Sequence, residues 1–141
     1  MDWTVDSPKR GDIIRTKVSF YYHYGIFVSE AEVIQFGLPD ALQKNAKDIV
    51  VIVSDVDTFL NGGELETAKP TKDEVKKIRP REQIVEIARG RIGEGGYDIL
   101  HNNCEHFVNE CAFGKSTSFL DNVRERLRKK LKKDVYYREN G

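Results

Sequence analysis

The sequence predicts an α+β fold in which a small antiparallel β-sheet packs against helices. Residues 12–53 hold runs rich in β-branched and aromatic side chains, separated by short polar turns. Residues 80–112 instead space their apolar side chains for buried helix faces. The strands come early and the helices late, and the last of these helices starts on a cysteine, Cys104. A chain of 141 residues fits one domain, long enough to bury a core without metals or disulfides.

Taken in order, residues 1–10 are polar and read as a loose N-terminal extension. Residues 12–18 form a short strand, and residues 20–28, with Tyr21, Tyr22, Tyr24, Ile26, Phe27 and Val28, a stronger one. Ser29-Glu30-Ala31-Glu32 makes a turn, and Val33-Ile34-Gln35-Phe36 returns as the partner strand, stopped by Gly37-Leu38-Pro39. Residues 48–53 are nearly continuous in apolar character, which predicts a strand buried on both faces. Residues 54–80 are the least regular, with a turn at Asn61-Gly62-Gly63 and a Lys/Glu-rich run, and read as a surface excursion or a lid.

Pro80 opens a helix with Ile84, Val85, Ile87 and Ala88 on one face, closing around Gly90 or Gly93. Tyr97-Asp98-Ile99-Leu100 reads as a short extended piece. A second helix runs from Cys104 to about Ala112, with Gly114 as its stop. The body of the domain is thus residues 11–115. In residues 116–141, Leu120, Val123, Leu127 and Leu131 recur at helical spacing among many Arg and Lys, which predicts a basic helix.

Apolar residues make up 39% of the chain and charged residues 33%, and the net charge is zero, so nothing global points to nucleic acid. No run approaches the roughly 18 apolar residues of a membrane span. The first residues lack a basic region followed by an apolar one, which makes the cytoplasm the expected compartment. Cys104 and Cys111, on one helix, would lie roughly 10 Å apart along its axis, too far for a disulfide. Two cysteines at that spacing and three scattered histidines make no metal set, and there is no glycine-rich phosphate loop. No cofactor or metal is expected, and nothing indicates the oligomeric state.

Cys104 is the candidate nucleophile. Asn103 is a good N-cap, so the thiol falls at the first helical position, near the positive end of the helix dipole and its unpaired amides. Both stabilise a thiolate and predict a lowered pKa. The Cys104 amide can also donate to an oxyanion. Cys111 reads as a small core residue. A thiol needs a base, and His106, two residues on, faces away from Cys104 on a helix, which suits a capping or packing role that bonds a carbonyl of the neighbouring loop. His23 and His101 remain as candidates on these grounds alone.

Asn103-Cys104-Glu105-His106-Phe107-Val108-Asn109 resembles the signature of the lecithin:retinol acyltransferase-like family. Gly11-Asp12-Ile13-Ile14 followed by His23-Tyr24-Gly25-Ile26-Phe27-Val28 is similar to that family's opening strand pair, and Ala88-Arg89-Gly90-Arg91-Ile92-Gly93-Glu94 with Tyr97-Asp98 to the approach to its nucleophile. The resemblance runs from about Gly11 to Gly114. It implies a circularly permuted NlpC-type, papain-like fold, with Cys104 as nucleophile, His23 as base and a thioester intermediate. It also marks a departure, because Gln35 stands where the family commonly places a second histidine. Glutamine can fix the tautomer of His23 but cannot carry charge. For that role the two must share a sheet face, which a plain two-residue turn at Glu30-Ala31 without a bulge would prevent. Tyr21 shares the face of His23, as packing or as a second oxyanion donor beside the Cys104 amide and its cap Asn103.

Two substrate classes follow from the resemblance: acyl esters of lipids, or the peptide amides cleaved by NlpC-type relatives. A catalytically silent binding module is the third reading, favoured by the missing histidine. The basic segment 122–133 can lie on an anionic membrane as a peripheral contact, or pack its leucines on the domain with its charges in water.

Overall fold

The computed structural model describes residues 1–40 and 45–114. The basic helix expected within residues 116–141 lies outside the described residues. Strands β1 (Asp2–Thr4), β2 (Ile13–Val18), β3 (Tyr21–Ser29), β4 (Glu32–Phe36), β5 (Val51–Ser54) and β6 (Glu66–Lys69) form one sheet in the order β1-β6-β2-β3-β4-β5. Every neighbouring pair in it is antiparallel. The helices are α1 (Val56–Leu60), α2 (Lys72–Val75), α3 (Arg81–Gly90) and α4 (Cys104–Phe113). The α+β prediction therefore holds, as do the strand pair ending at Phe36 and both later helices.

Side-chain alternation gives the sheet two different faces. On one, Ile13, Ile26, Val28, Ile34, Phe36 and Val51 pack with Ile84, Val85 and Ala88 of α3 and with Phe107, Val108 and Cys111 of α4. On the other, Ile14, Phe27 and Val33 pack with Val56 and Phe59 of α1. Gly25 lies on this second face, and a Cβ there would stand 2.8 Å from Cε2 of Phe59 and 3.1 Å from Cγ1 of Val33. Its missing side chain is what lets Phe59 settle onto the middle of β3. At the head of β2, Gly11 has φ +90°, and a Cβ there would be 2.8 Å from Cβ of Arg81. Only glycine allows this turn to sit against the start of α3.

Four expectations are corrected. Residues 1–10 are not a loose extension: Asp2–Thr4 pair with β6, and the Arg15 guanidinium lies 4.0 Å over the Trp3 ring. Residues 48–53 are not a strand buried on both faces. The strand begins at Val51, pairs with β4 as the last strand of the sheet, and leaves Val53 43% exposed. Residues 54–80 are neither excursion nor lid, since they supply the buried Phe59 and the strand β6 between β1 and β2. Residues 97–100 are not an extended segment: Asp98 makes a single bridge with Asn102, and its carboxylate accepts from the Leu100 amide. Short polar strands such as β1 and β6 carry no periodic apolar signal, which is why composition missed them.

Among the described residues no helix is long and apolar enough to cross a membrane.

Candidate active site

α4 begins at Cys104 because Asn103 stops the preceding chain from continuing as helix and satisfies its first amides. The Asn103 side-chain oxygen accepts from the amides of Glu105 and His106 at 3.0 and 3.1 Å. Nδ2 of Asn103 donates to the Ile99 carbonyl at 2.8 Å, which ties the cap to the loop before it. His106 reciprocates, its Nδ1 accepting from the Asn103 amide at 3.0 Å. Its capping role is as expected, but the bond differs: Nδ1 accepts from an amide instead of donating to a carbonyl. At the other end Gly114 takes φ 76°, and Arg79 donates to the carbonyls of Glu110 and Cys111.

Both cysteines are free and buried. Cys111 is a core residue with no exposed surface, as expected. The Cys104 sulfur meets β3 at the amide of Tyr24, beyond the end of the β3–β4 ladder, which runs from Ile26↔Ile34 to Ser29↔Glu32. Burial pushes the thiol up to about 11, against the pull of the Tyr24, Cys104 and Glu105 amides. The lowered pKa expected from the helix dipole is therefore corrected: the amides act as anticipated, but desolvation outweighs them.

His23 and Gln35 do share a face. The hairpin has its two-residue turn at Glu30-Ala31, but a register shift between Phe27 and Ser29 inserts one extra residue at Val28. That bulge changes which side of β4 matches which side of β3, and it brings Gln35 to the face of Gly25 and His23. The outcome is a 2.6 Å hydrogen bond between His23 Nε2 and Gln35 Oε1. An amide oxygen only accepts, so His23 Nε2 carries the proton and donates. The neutral ring then has its lone pair on Nδ1, the tautomer a general base needs at that nitrogen. Phe59 covers the imidazole, ring centroids 5.1 Å apart.

Gln35 is itself held. Its Nε2 donates to Ser54 Oγ at 2.6 Å, and Ser54 Oγ donates to the Asp55 carbonyl at 2.9 Å. Asp40 acts on both His23 and Tyr21, and the Tyr21 phenol is pushed up by burial first, then by Cys104 and Asp40. Tyr21 is thus within electrostatic reach of both Cys104 and Asp40, and Asp40 reaches His23 as well. Tyr21 donates its hydroxyl proton to the Pro39 carbonyl at 2.8 Å, so that proton is committed elsewhere than to an oxyanion. His101 is exposed in the loop, near Asp98. Sequence reasoning missed Ser54, Phe59 and Asp40, which lie in segments without motif or periodicity.

Burial of His23 makes a prediction about stability. Desolvation lowers it to about 4, outweighing the opposite pulls of Gln35 and Asp40. An unfolded histidine, at about 6.5, takes up a proton that the folded one refuses, so stability is full above that pH and falls as pH drops toward 4. Denaturant unfolding should show a loss of about 2 kcal/mol between pH 7 and pH 5 that is absent in His23→Asn. An equal loss in the variant would mean that other groups carry it.

Comparison with known proteins points to one family. The family model described as lecithin retinol acyltransferase matches residues 6–117. Lecithin retinol acyltransferase of Mus musculus is 26% identical over 137 residues, covering 82% of this chain and 59% of that protein. The Bos taurus protein of the same name is 28% identical over 148 residues, covering 86% and 64%. Phospholipase A and acyltransferase 3 of Homo sapiens is 26% identical over 130 residues, covering 86% of this chain and 79% of that protein. This chain therefore spans less than two thirds of the mouse and bovine lecithin retinol acyltransferases. The fold, the residues leading to the thiol and the extent of the match together lead to one conclusion: this chain belongs to the lecithin retinol acyltransferase family.

Proposed function

We propose that the chain is a thiol-dependent acyltransferase or hydrolase that takes the acyl group of a phospholipid ester. The observation that carries this reading is the 2.6 Å bond from His23 to Gln35, which leaves Nδ1 as the acceptor on the residue next in sequence to Tyr24, whose amide meets the Cys104 sulfur. The names of the relatives, lecithin retinol acyltransferase and phospholipase A and acyltransferase, support the substrate class.

The chemistry follows from the protonation states. With the imidazole lowered to about 4 and the thiol raised to about 11, the resting pair at neutral pH is imidazole and thiol, both uncharged. His23 Nδ1 accepts the thiol proton as the sulfur attacks the ester carbonyl carbon, so the proton moves with the attack and no resting ion pair is needed. The tetrahedral oxyanion is held by the Cys104 amide at the helix N-terminus. It collapses to a thioester, and the departing lysophospholipid oxygen takes the proton from His23. Water or an acceptor alcohol or amine then gives up a proton to Nδ1 and attacks the thioester, returning the free thiol. Gln35 holds the ring without supplying charge, which predicts a working but slower pair than one backed by a second histidine.

The test is the intact mass of the protein after incubation with a short-chain phosphatidylcholine. A gain of one acyl group, absent in Cys104→Ala, is the expected result. Turnover of a peptide amide without any lipid adduct would move the assignment to the NlpC-type peptidase class. Inertness toward both would leave a binding module.

A further inference from the structure

We propose that Ser54 is a positioning residue that sets the protonated nitrogen of His23, acting through Gln35. The inference rests on the reading of His23 as the base and adds a residue that neither motif nor family match marks. A primary amide can turn over, and the two orientations of Gln35 give opposite chemistry. With Oε1 toward His23, the ring must donate from Nε2 and keeps its lone pair on Nδ1. With the NH2 toward His23, Nε2 must accept, the proton moves to Nδ1, and the base is lost.

The Gln35–His23 contact alone does not choose, since both orientations make one hydrogen bond. Ser54 decides. Register places Ser54 opposite Val33, on the same face as Gln35 one strand away. Its hydroxyl has a single proton, and that proton goes to the Asp55 carbonyl at 2.9 Å. The oxygen facing Gln35 at 2.6 Å can therefore only accept, and only the NH2 of Gln35 can satisfy it. Turning Gln35 over would set its carbonyl against an oxygen without a proton to give, unless Ser54 abandoned Asp55. A directional chain runs from His23 through Gln35 and Ser54 to Asp55, every donor pointing the same way. It ends at the N-cap of α1, where the Asp55 side chain accepts from the Thr58 amide. The helix that carries Phe59 over the imidazole thus also anchors the chain that orients it. In this way an uncharged glutamine holds the ring in one tautomer, the task for which a second histidine or a carboxylate is otherwise used.

Ser54→Thr and Ser54→Val test this as a pair, because they are isosteric and differ in the hydroxyl. Protein labelled with 15N at histidine reports the His23 tautomer through the shift difference between protonated and bare ring nitrogens. Wild type and Ser54→Thr should show a bare Nδ1. Ser54→Val should show partial or complete protonation of Nδ1, with kcat for acyl transfer lowered about ten-fold or more and KM little changed. A bare Nδ1 in folded Ser54→Val, whatever its activity, overturns the proposal. If Ser54→Val fails to fold, Ser54→Ala gives the same reading with less side chain to accommodate. The tautomer is observed without substrate: a shifted tautomer in Ser54→Val beside a wild type with no acyl transfer refutes the proposed function and leaves the role of Ser54 standing.

Discussion

Cys104→Ala is expected to abolish acyl-enzyme formation and to lower kcat/KM for ester turnover by at least about 10³-fold, the scale on which covalent catalysts depend on their nucleophile. The change removes one sulfur at a helix start whose cap does not involve it: Asn103 satisfies the Glu105 and His106 amides through its own side chain. Stability should therefore move by about 1 kcal/mol at most, so that loss of activity cannot be read as unfolding. Cys111→Ala is the matched control. It empties a fully buried site two turns further along α4 and should cost stability while leaving turnover within about two-fold. His23→Ala should fall as far as Cys104→Ala, and the double variant no further, as expected of a base and a nucleophile that act as one unit. Residual turnover in Cys104→Ala close to wild type, measured by phospholipid hydrolysis, would end the thiol mechanism.

The second large effect is structural. Phe59→Ala should destabilise the domain by about 3–5 kcal/mol, since the side chain is fully buried and its neighbours are strands that cannot collapse into the space. Against a total of about 5–15 kcal/mol, that is a large fraction, on the order of 10–20 °C in the melting temperature. Phe59 fills the position opened by Gly25 and stacks on His23 at 5.1 Å. Its loss removes the apolar cover that keeps the imidazole uncharged, so activity should fall beyond what the folded fraction explains. Phe59→Leu should recover much of the stability and less of the activity. Equal recovery of both, by denaturant unfolding and turnover, would show that Phe59 only fills volume.

The parts of the fold legible in the sequence are those with periodic or positional signals. The β2–β4 meander shows β-branched and aromatic runs with a turn between them, α3 shows apolar spacing after Pro80, and α4 shows an Asn cap and a terminal Gly. Strands β1 and β6 are short and polar and gain their place only by pairing, while β5 read as doubly buried because edge position leaves no mark on a run of Val and Ile. Of the candidate site residues, Cys104, His23 and Gln35 were each visible, the last as a departure from the family pattern. Asp40, Ser54 and Phe59 were not, since a lone Asp, Ser or Phe outside a motif looks like any other.

By itself, the sequence determined the α+β class, the cap that puts Cys104 at a helix start, and the family, because local propensity and short motifs are written in consecutive residues. Only the tertiary structure decided the rest. A bulge at Val28 set whether Gln35 meets His23, since one extra residue exchanges the two faces of a strand. Burial set the charge states, overriding the helix dipole at Cys104 and holding His23 neutral, because desolvation depends on what lies across the sheet and not on neighbours in the chain.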